Sequence, residues 1–461
     1  MEPATHAQPR NKMGTAPVKT LMLSMGLPMV LSMVVQAFYN IVDSYFISNM
    51  PDAGGIVGMG EYGVNALTLA FPVQMLMIAI GVGTGVGVNA LLSRSLGAGD
   101  REKASGIAGN AIFTGVCTYL VFLVGGLFGA RAYVRTQTTE IIALDMGTAY
   151  LRICMTLSFG AILFMIYEKL LQSTGRTLLS TIAQIVGAVI NIMLDPIMIF
   201  GAFGVPAMGI RGAAYATIIG QIASLALGVI FHHAFNKDID TRFKYIVPQR
   251  VVIAEIYKIG VPAIIMQALM SVMTYGVNII FGRVSEAAVT AYGIYYKIQQ
   301  FVFMAAFGLN NALIPLIAFN YGMQDKQRVQ AGVKYGMIYT LIVMALGAAL
   351  LQAGGRAFLS AFALSPTTTS LCVGAIRVIT LGYIFAGANI AFQGIFQAFG
   401  HGLHSLVVSL IRLIIVVFPV AYFFTTRQNA ERLIWWTFPL AELCALIVAA
   451  LFMRAITLKQ R

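Results

Sequence analysis

Apolar runs of roughly 20 to 30 residues recur along the chain, separated by short polar stretches. A helix of about 20 apolar residues crosses the hydrocarbon core of a bilayer, because each residue advances it about 1.5 Å. The runs are too long and too uniformly apolar for the alternating strands of a membrane β-barrel. Twelve are predicted, at approximately 20–48, 62–92, 104–129, 141–171, 178–201, 209–234, 254–283, 288–318, 329–352, 368–397, 404–425 and 433–456. The first exceeds a signal-peptide core and has no small-residue cleavage site, so it is read as a retained span. The expected fold is an all-α polytopic membrane protein with twelve transmembrane helices.

The chain aligns with itself at a shift of 225 residues. At that shift Gly83 falls on Gly308, and Gly97 and Asp100 fall on Gly322 and Asp325. Arg152 falls on Arg377, and Gln172 and Gly175 fall on Gln397 and Gly400. Upstream the shift becomes 234, which aligns Gly26-Leu27-Pro28 with Gly260-Val261-Pro262 and places an insertion near Pro51–Gly60. Six spans per repeat give two parallel six-helix lobes of equal orientation, an arrangement in which transporters bind substrate near the repeat interface. The expected division is a tail at 1–19, an N-lobe at 20–235, a linker at 236–253, a C-lobe at 254–457 and a tail at 458–461.

Composition agrees and adds orientation. Of 461 residues 59% are hydrophobic and 10% charged, too few charges to coat a soluble protein of this size. The net charge of +13 does not point to nucleic acid, because basic residues stand singly or in small groups between spans. One set of loops and tails carries 17 of them, including Arg10, Lys12, Lys19, Arg101, Arg176, Lys244, Arg328 and Arg461; the opposite set carries 7. Both termini are therefore expected in the cytoplasm. The four cysteines lie far apart in apolar runs, with no CxxC pair, and are read as small core residues.

Ionisable groups inside a bilayer are costly and carry the functional hypotheses. Span 1 has Gln36, Tyr39, Asn40 and Asp43, whose spacings of 3, 4 and 7 put them on one helix face. Span 5 has Asn191 and Asp195, four apart, and span 6 has Thr217. Span direction places Asp43, Asp195, Thr217 and Tyr150 in the outer half of the N-lobe. The matching face of span 7 has Gln267, Thr274, Tyr275 and Asn278 but no acid. Two carboxylates in one low-dielectric pocket cannot both stay charged cheaply, which makes a proton site. The same oxygens suit Na⁺. The alternative is that Asp195 pairs locally and Asp43 faces an aqueous vestibule. Glu168, beside Lys169, reads better as structural than as functional, and Glu442 is a candidate partner for Arg412. Pro28 can bend span 1 below the polar stripe.

Other patterns carry less. Gly81 to Ala90 superficially resembles a dinucleotide fingerprint but lies inside a span with no strand before it. No Walker A, HExxH or GxSxG pattern is present, so no enzyme is expected.

The segments GLPMVLSMVVQAFYNIVDSYFIS, SRSLGAGDREKA, LLQSTGR, NIMLDPIMIF and GIRGAAYATIIGQ resemble the multidrug and toxic compound extrusion (MATE) transporters, over essentially the whole chain. YNIVDSYF with NIMLDP looks most like the DinF-like branch. The resemblance implies a cation site at Asp43, Asn191, Asp195 and Thr217, with Tyr150 and Gln36 nearby and Pro28 as the bending proline. It implies an antiporter in which H⁺ or Na⁺ drives export of organic cations, drugs or amphipathic metabolites, with no other cofactor. Gln36, Tyr39, Asn40, Gln267 and Asn278 are substrate or cavity candidates. A flippase for a lipid-linked precursor is the alternative, with Lys297, Arg152 and Arg377 as its interior-leaning cations. The expected setting is a bacterial-type inner membrane, with the chain a monomer whose partners are the bilayer and a small substrate.

Overall fold

The computed structural model describes residues 11–52, 58–240, 242–360 and 364–459. Arg10, Arg461 and the part of the Pro51–Gly60 insertion at 53–57 lie outside the described residues. Every regular element among the described residues is helical. Eleven continuous helices are long and apolar enough to span a bilayer: α1 Val18–Ser48, α2 Met59–Gly97, α3 Arg101–Arg135, α5 Thr177–Phe200, α6 Ile210–Phe235, α7 Arg250–Gly282, α8 Glu286–Gly322, α9 Lys326–Leu359, α10 Pro366–Ala398, α11 Gly402–Thr425 and α12 Ala430–Thr457. The twelfth, α4, is Ile141–Thr156 joined to Phe159–Ser173 across a 43° bend. The bend falls at Leu157-Ser158, next to Gly160, where small and hydroxyl residues relax the helical ladder. The twelve predicted spans are all present, most of them extended at one end or both into the polar flanks.

The helices are built for lipid. In α9 the buried positions are Gly332, Gly336, Thr340, Met344, Gly347, Leu351, Gly355 and Leu359, a stripe spaced by three or four and dominated by small residues at one end. Ile338, Ile342, Leu346 and Leu350 form a second stripe and are exposed. Large apolar side chains thus face outward, while small ones let neighbouring helices approach, the reverse of a soluble bundle.

Packing divides the chain into two compact units. The N-terminal unit is Leu31–Leu92 with Arg101–Gly260; the C-terminal unit is Met1–Val30, Ser93–Asp100 and Val261–Arg461. The divisions in α1 and α7 fall beside Pro28 and Pro262, the prolines aligned by the repeat.

The repeat is visible in the backbone. Gly175 and Gly400 both adopt left-handed φ, +79° and +82°, at the end of a helix whose last turn holds a buried glutamine, Gln172 or Gln397. Gly99 and Gln324, also 225 apart, are both left-handed, so the second copy holds the turn at the steric cost that glycine avoids. Gly97 and Gly322 face each other's helix: a Cβ on either would strike a backbone carbonyl, of Phe319 or of Arg94.

Candidate cation site and the C-terminal cavity

The site in the N-terminal unit is assembled by a close crossing of α5 and α6. A Cβ on Gly187 would meet the Gly220 carbonyl, and one on Gly220 would meet the Gly187 carbonyl and Asn191. Two glycines therefore bring the helix backbones together and carry Asn191 to Thr217. Asn191 Nδ2 donates to Thr217 Oγ1 at 3.4 Å and to Asp195 Oδ1 at 3.3 Å. Asp195 is completely buried and Asn191 nearly so.

Asp43 approaches from α1 and is half-buried. It lies within electrostatic range of Asp195, Tyr39, Tyr150 and Cys154. No lysine or arginine forms an ion pair with either acid among the described residues. Three buried oxygens have no hydrogen-bond donor: Asp43 Oδ1, Asn191 Oδ1 and Asp195 Oδ2. All three are acceptors, and burying an acceptor without a partner costs roughly 1–3 kcal/mol. A proton on a carboxylate or a bound hard monovalent cation would supply the positive charge that these oxygens face without.

Gln36 and Tyr39 share the half-buried face of α1 with Asp43, but Asn40 is exposed, its carbonyl taken by Ser44 Oγ at 2.9 Å. Tyr150 is buried and accepts a hydrogen bond from Gln74 Nε2 at 3.4 Å. Three nearby residues were missed from the sequence. Gln74 comes from α2, Cys154 sits one turn after Tyr150, and Gln184 ties α5 to α1. Gln184 Nε2 donates to Gln36 Oε1 at 3.1 Å, and Ser32 Oγ donates to Gln184 Oε1. Helical periodicity held a signal for Gln184. It precedes Asn191 by seven residues, as Ser32 and Gln36 precede Tyr39 and Asp43 by seven. Cys154 and Cys372 are buried as expected, whereas Cys117 and Cys444 are exposed on their helices.

The C-terminal unit holds a cavity of about 100 Å³ among α7, α8, α10, α11 and α12. Gln267 lines it; Asn278, half-buried one side of α7 further on, does not. Its charged wall is the expected Arg412–Glu442 pair. Glu442 Oε1 accepts from Arg412 Nη2 at 2.6 Å and Nε at 3.0 Å, and Oε2 accepts from Asn389 Nδ2 at 2.8 Å. Lys297, Arg152 and Arg377 all stand exposed. Glu168 and Lys169 are both buried and meet through Gln172, which donates to Glu168 Oε1 at 2.7 Å and accepts from Lys169 Nζ at 2.9 Å.

Fold and site together define a helical membrane transporter made of two related halves, with an unpaired acid pair in one of them. The family model MatE matches residues 28–197 and 262–423, and the chain belongs to this family. The matched segments start 234 residues apart, the shift that aligns the two proline motifs. Members are transporters, and the chain is not an enzyme. The multidrug export protein MepA of Staphylococcus aureus is 25% identical over 445 residues, covering 94% of this chain and 92% of its own length. MepA of Staphylococcus saprophyticus is 24% identical, covering 92% and 91%. Among solved structures, an outward-facing multidrug-resistance MATE transporter of the MOP superfamily matches with a TM-score of 0.90 at 21% identity, over 98% of this chain and 99% of that one.

Proposed function

We propose that the protein is a cation-coupled antiporter that exports organic cations, drugs or amphipathic metabolites. The observation that carries this reading is the set of buried, donorless oxygens on Asp43, Asn191 and Asp195. An incoming H⁺ would neutralise a carboxylate; an incoming Na⁺ would take Asp43, Asp195, the Asn191 carbonyl and Thr217 Oγ1 as ligands. Either supplies the positive charge that the site lacks, and Tyr150 closes it on the α4 side. The relatives' name, multidrug export protein, supports an outward direction for the second substrate.

In this reading the lobes at 20–235 and 254–457 expose the site alternately to the two faces of an inner membrane, with both termini cytoplasmic and the chain acting as a monomer. Loading of Asp43 biases α1 at Pro28, which already lacks a backbone donor inside that helix. Gln36, Tyr39 and Asn40 then border the path of the outgoing substrate.

The test is reconstitution in vesicles with a proton or a sodium gradient imposed separately, and efflux of a panel of cationic dyes as readout. One gradient is expected to drive efflux. Indifference to both gradients overturns the antiporter reading, and headgroup translocation of a lipid-linked precursor would replace it with the flippase.

A further inference from the structure

The C-terminal cavity has a chemistry of its own. Flat aromatic faces make much of its wall, and Tyr292 and Phe438 stack in parallel with centroids 5.4 Å apart. Met266, Met270 and Met273 add side chains that repack easily around different shapes. An apolar cavity near 150 Å³ accommodates a benzene ring, so one of about 100 Å³ with methionine walls suits a single aromatic ring.

The lining also carries neutral polar side chains, Gln267, Gln299, Gln300, Gln393 and Ser409, and Arg412 is the cation among the lining residues. Arg412 lines the cavity and is itself 7% exposed. It lies in a π-helical turn, Ile411–Ile415, inside α11, a distortion that recurs at functional sites. A guanidinium has five N–H donors in a rigid fork. Nε and Nη2 are committed to Glu442, whereas Nη1 has no hydrogen-bond partner among the described residues. Both oxygens of Glu442 already accept hydrogen bonds, Oε1 two from Arg412 and Oε2 one from Asn389. The pair is neutral overall, so a ligand needs no charge to meet it, and a full charge would lose hydration without a counter-ion. A carbonyl oxygen fits the spare donors.

We infer that the cavity is a binding site for a flat, uncharged aromatic compound whose carbonyl oxygen accepts a hydrogen bond from Arg412. This site is separate in residues and in charge preference from the acid pair of the N-terminal unit, and it does not depend on the antiporter reading.

The experiment is saturation-transfer NMR on the full-length protein in nanodiscs, without any gradient, using benzamide, benzoate and benzylammonium as probes and empty nanodiscs as the blank. Benzamide is expected to give the strongest transfer. Met270→Trp, which fills the cavity, is expected to cut that signal at least fivefold with an unchanged melting temperature. Arg412→Lys, which keeps the charge but loses the fork, is expected to weaken benzamide transfer several-fold. If Met270→Trp melts early, Ala386→Leu fills the same space from α10 and takes its place. Asp43→Asn is expected to leave the signal intact, which separates this site from the coupling site. Equal benzamide transfer in wild-type and cavity-filled protein overturns the inference, as does stronger binding of benzylammonium or no transfer above the blank.

Discussion

The acids of the candidate cation site and the acid of the C-terminal cavity are held in opposite ways. In the N-terminal unit Asp43 and Asp195 share a site with tyrosines, an asparagine and a threonine, and among the described residues no lysine or arginine forms an ion pair with either. In the C-terminal unit Glu442 is held by three donors, two of them from one arginine. The halves descend from one repeat, so fold does not set this difference; a few side chains do. An acid with a permanent counter-ion has no need of a mobile cation. An acid without one takes its neutralising charge from outside, and that charge can leave again. Under the proposed function coupling falls to the first unit, and the ligand site we infer lies in the second.

The largest effect should come from the unpaired acids. Asp43→Asn is expected to bring gradient-driven efflux down to the level of empty vesicles while the protein still inserts and purifies as a folded species. Normal export by that variant under the driving gradient would break the comparison at its centre.

Stability should then reverse the ranking. Arg412→Leu strands Glu442 without its partner, and breaking a buried pair from one side costs about 3–5 kcal/mol. A clear drop in melting temperature is expected, with most of it recovered in the Arg412→Leu/Glu442→Leu double variant. Asp43→Leu, which removes an acid that has no partner to strand, is expected to melt no lower than wild type. A destabilised Asp43→Leu protein would show that the N-terminal acid is structural after all.

A smaller effect tests how the site is positioned. Gly220→Ala forces α6 away from the Gly187 carbonyl, an overpacking worth about 1–3 kcal/mol. Because Thr217 moves with α6, coupling should weaken along with stability, and apparent affinity for the driving cation measures the first part. Gln184→Leu should do least. It removes two neutral hydrogen bonds between α1 and α5, worth about 1 kcal/mol each, and an efflux loss of no more than several-fold is expected. Abolished transport in this variant would move Gln184 from a positioning residue into the cation site itself.

The helices were legible in the sequence because a bilayer leaves the backbone little choice. With no water to satisfy its amides, each crossing segment must be a long apolar helix, so the twelve crossings and the two-fold repeat could be counted directly. The acids were legible for a related reason, since a carboxylate in hydrocarbon stands out against its surroundings. Asp43, Asn191 and Asp195 could be placed on helix faces by spacing alone. The bend in α4 was not readable, since no proline marks it and it falls beside Gly160, where α4 closes on Ile222 of α6. Nor were the partners. Spacing put Asn40 on the same stripe as Asp43, yet the packing of α1 leaves Asn40 exposed and turns Gln36 toward Gln184. Sequence offered Glu442 with Arg412 only as a candidate pair; a three-dimensional crossing of α11 and α12 made it one. What the sequence by itself determined was which groups are too polar for the membrane, a property of each residue and its solvent. Which of them would be neutralised by a neighbour and which left unpaired was decided only by tertiary structure, because a counter-ion acts over a few ångströms and depends on helices far apart in the chain.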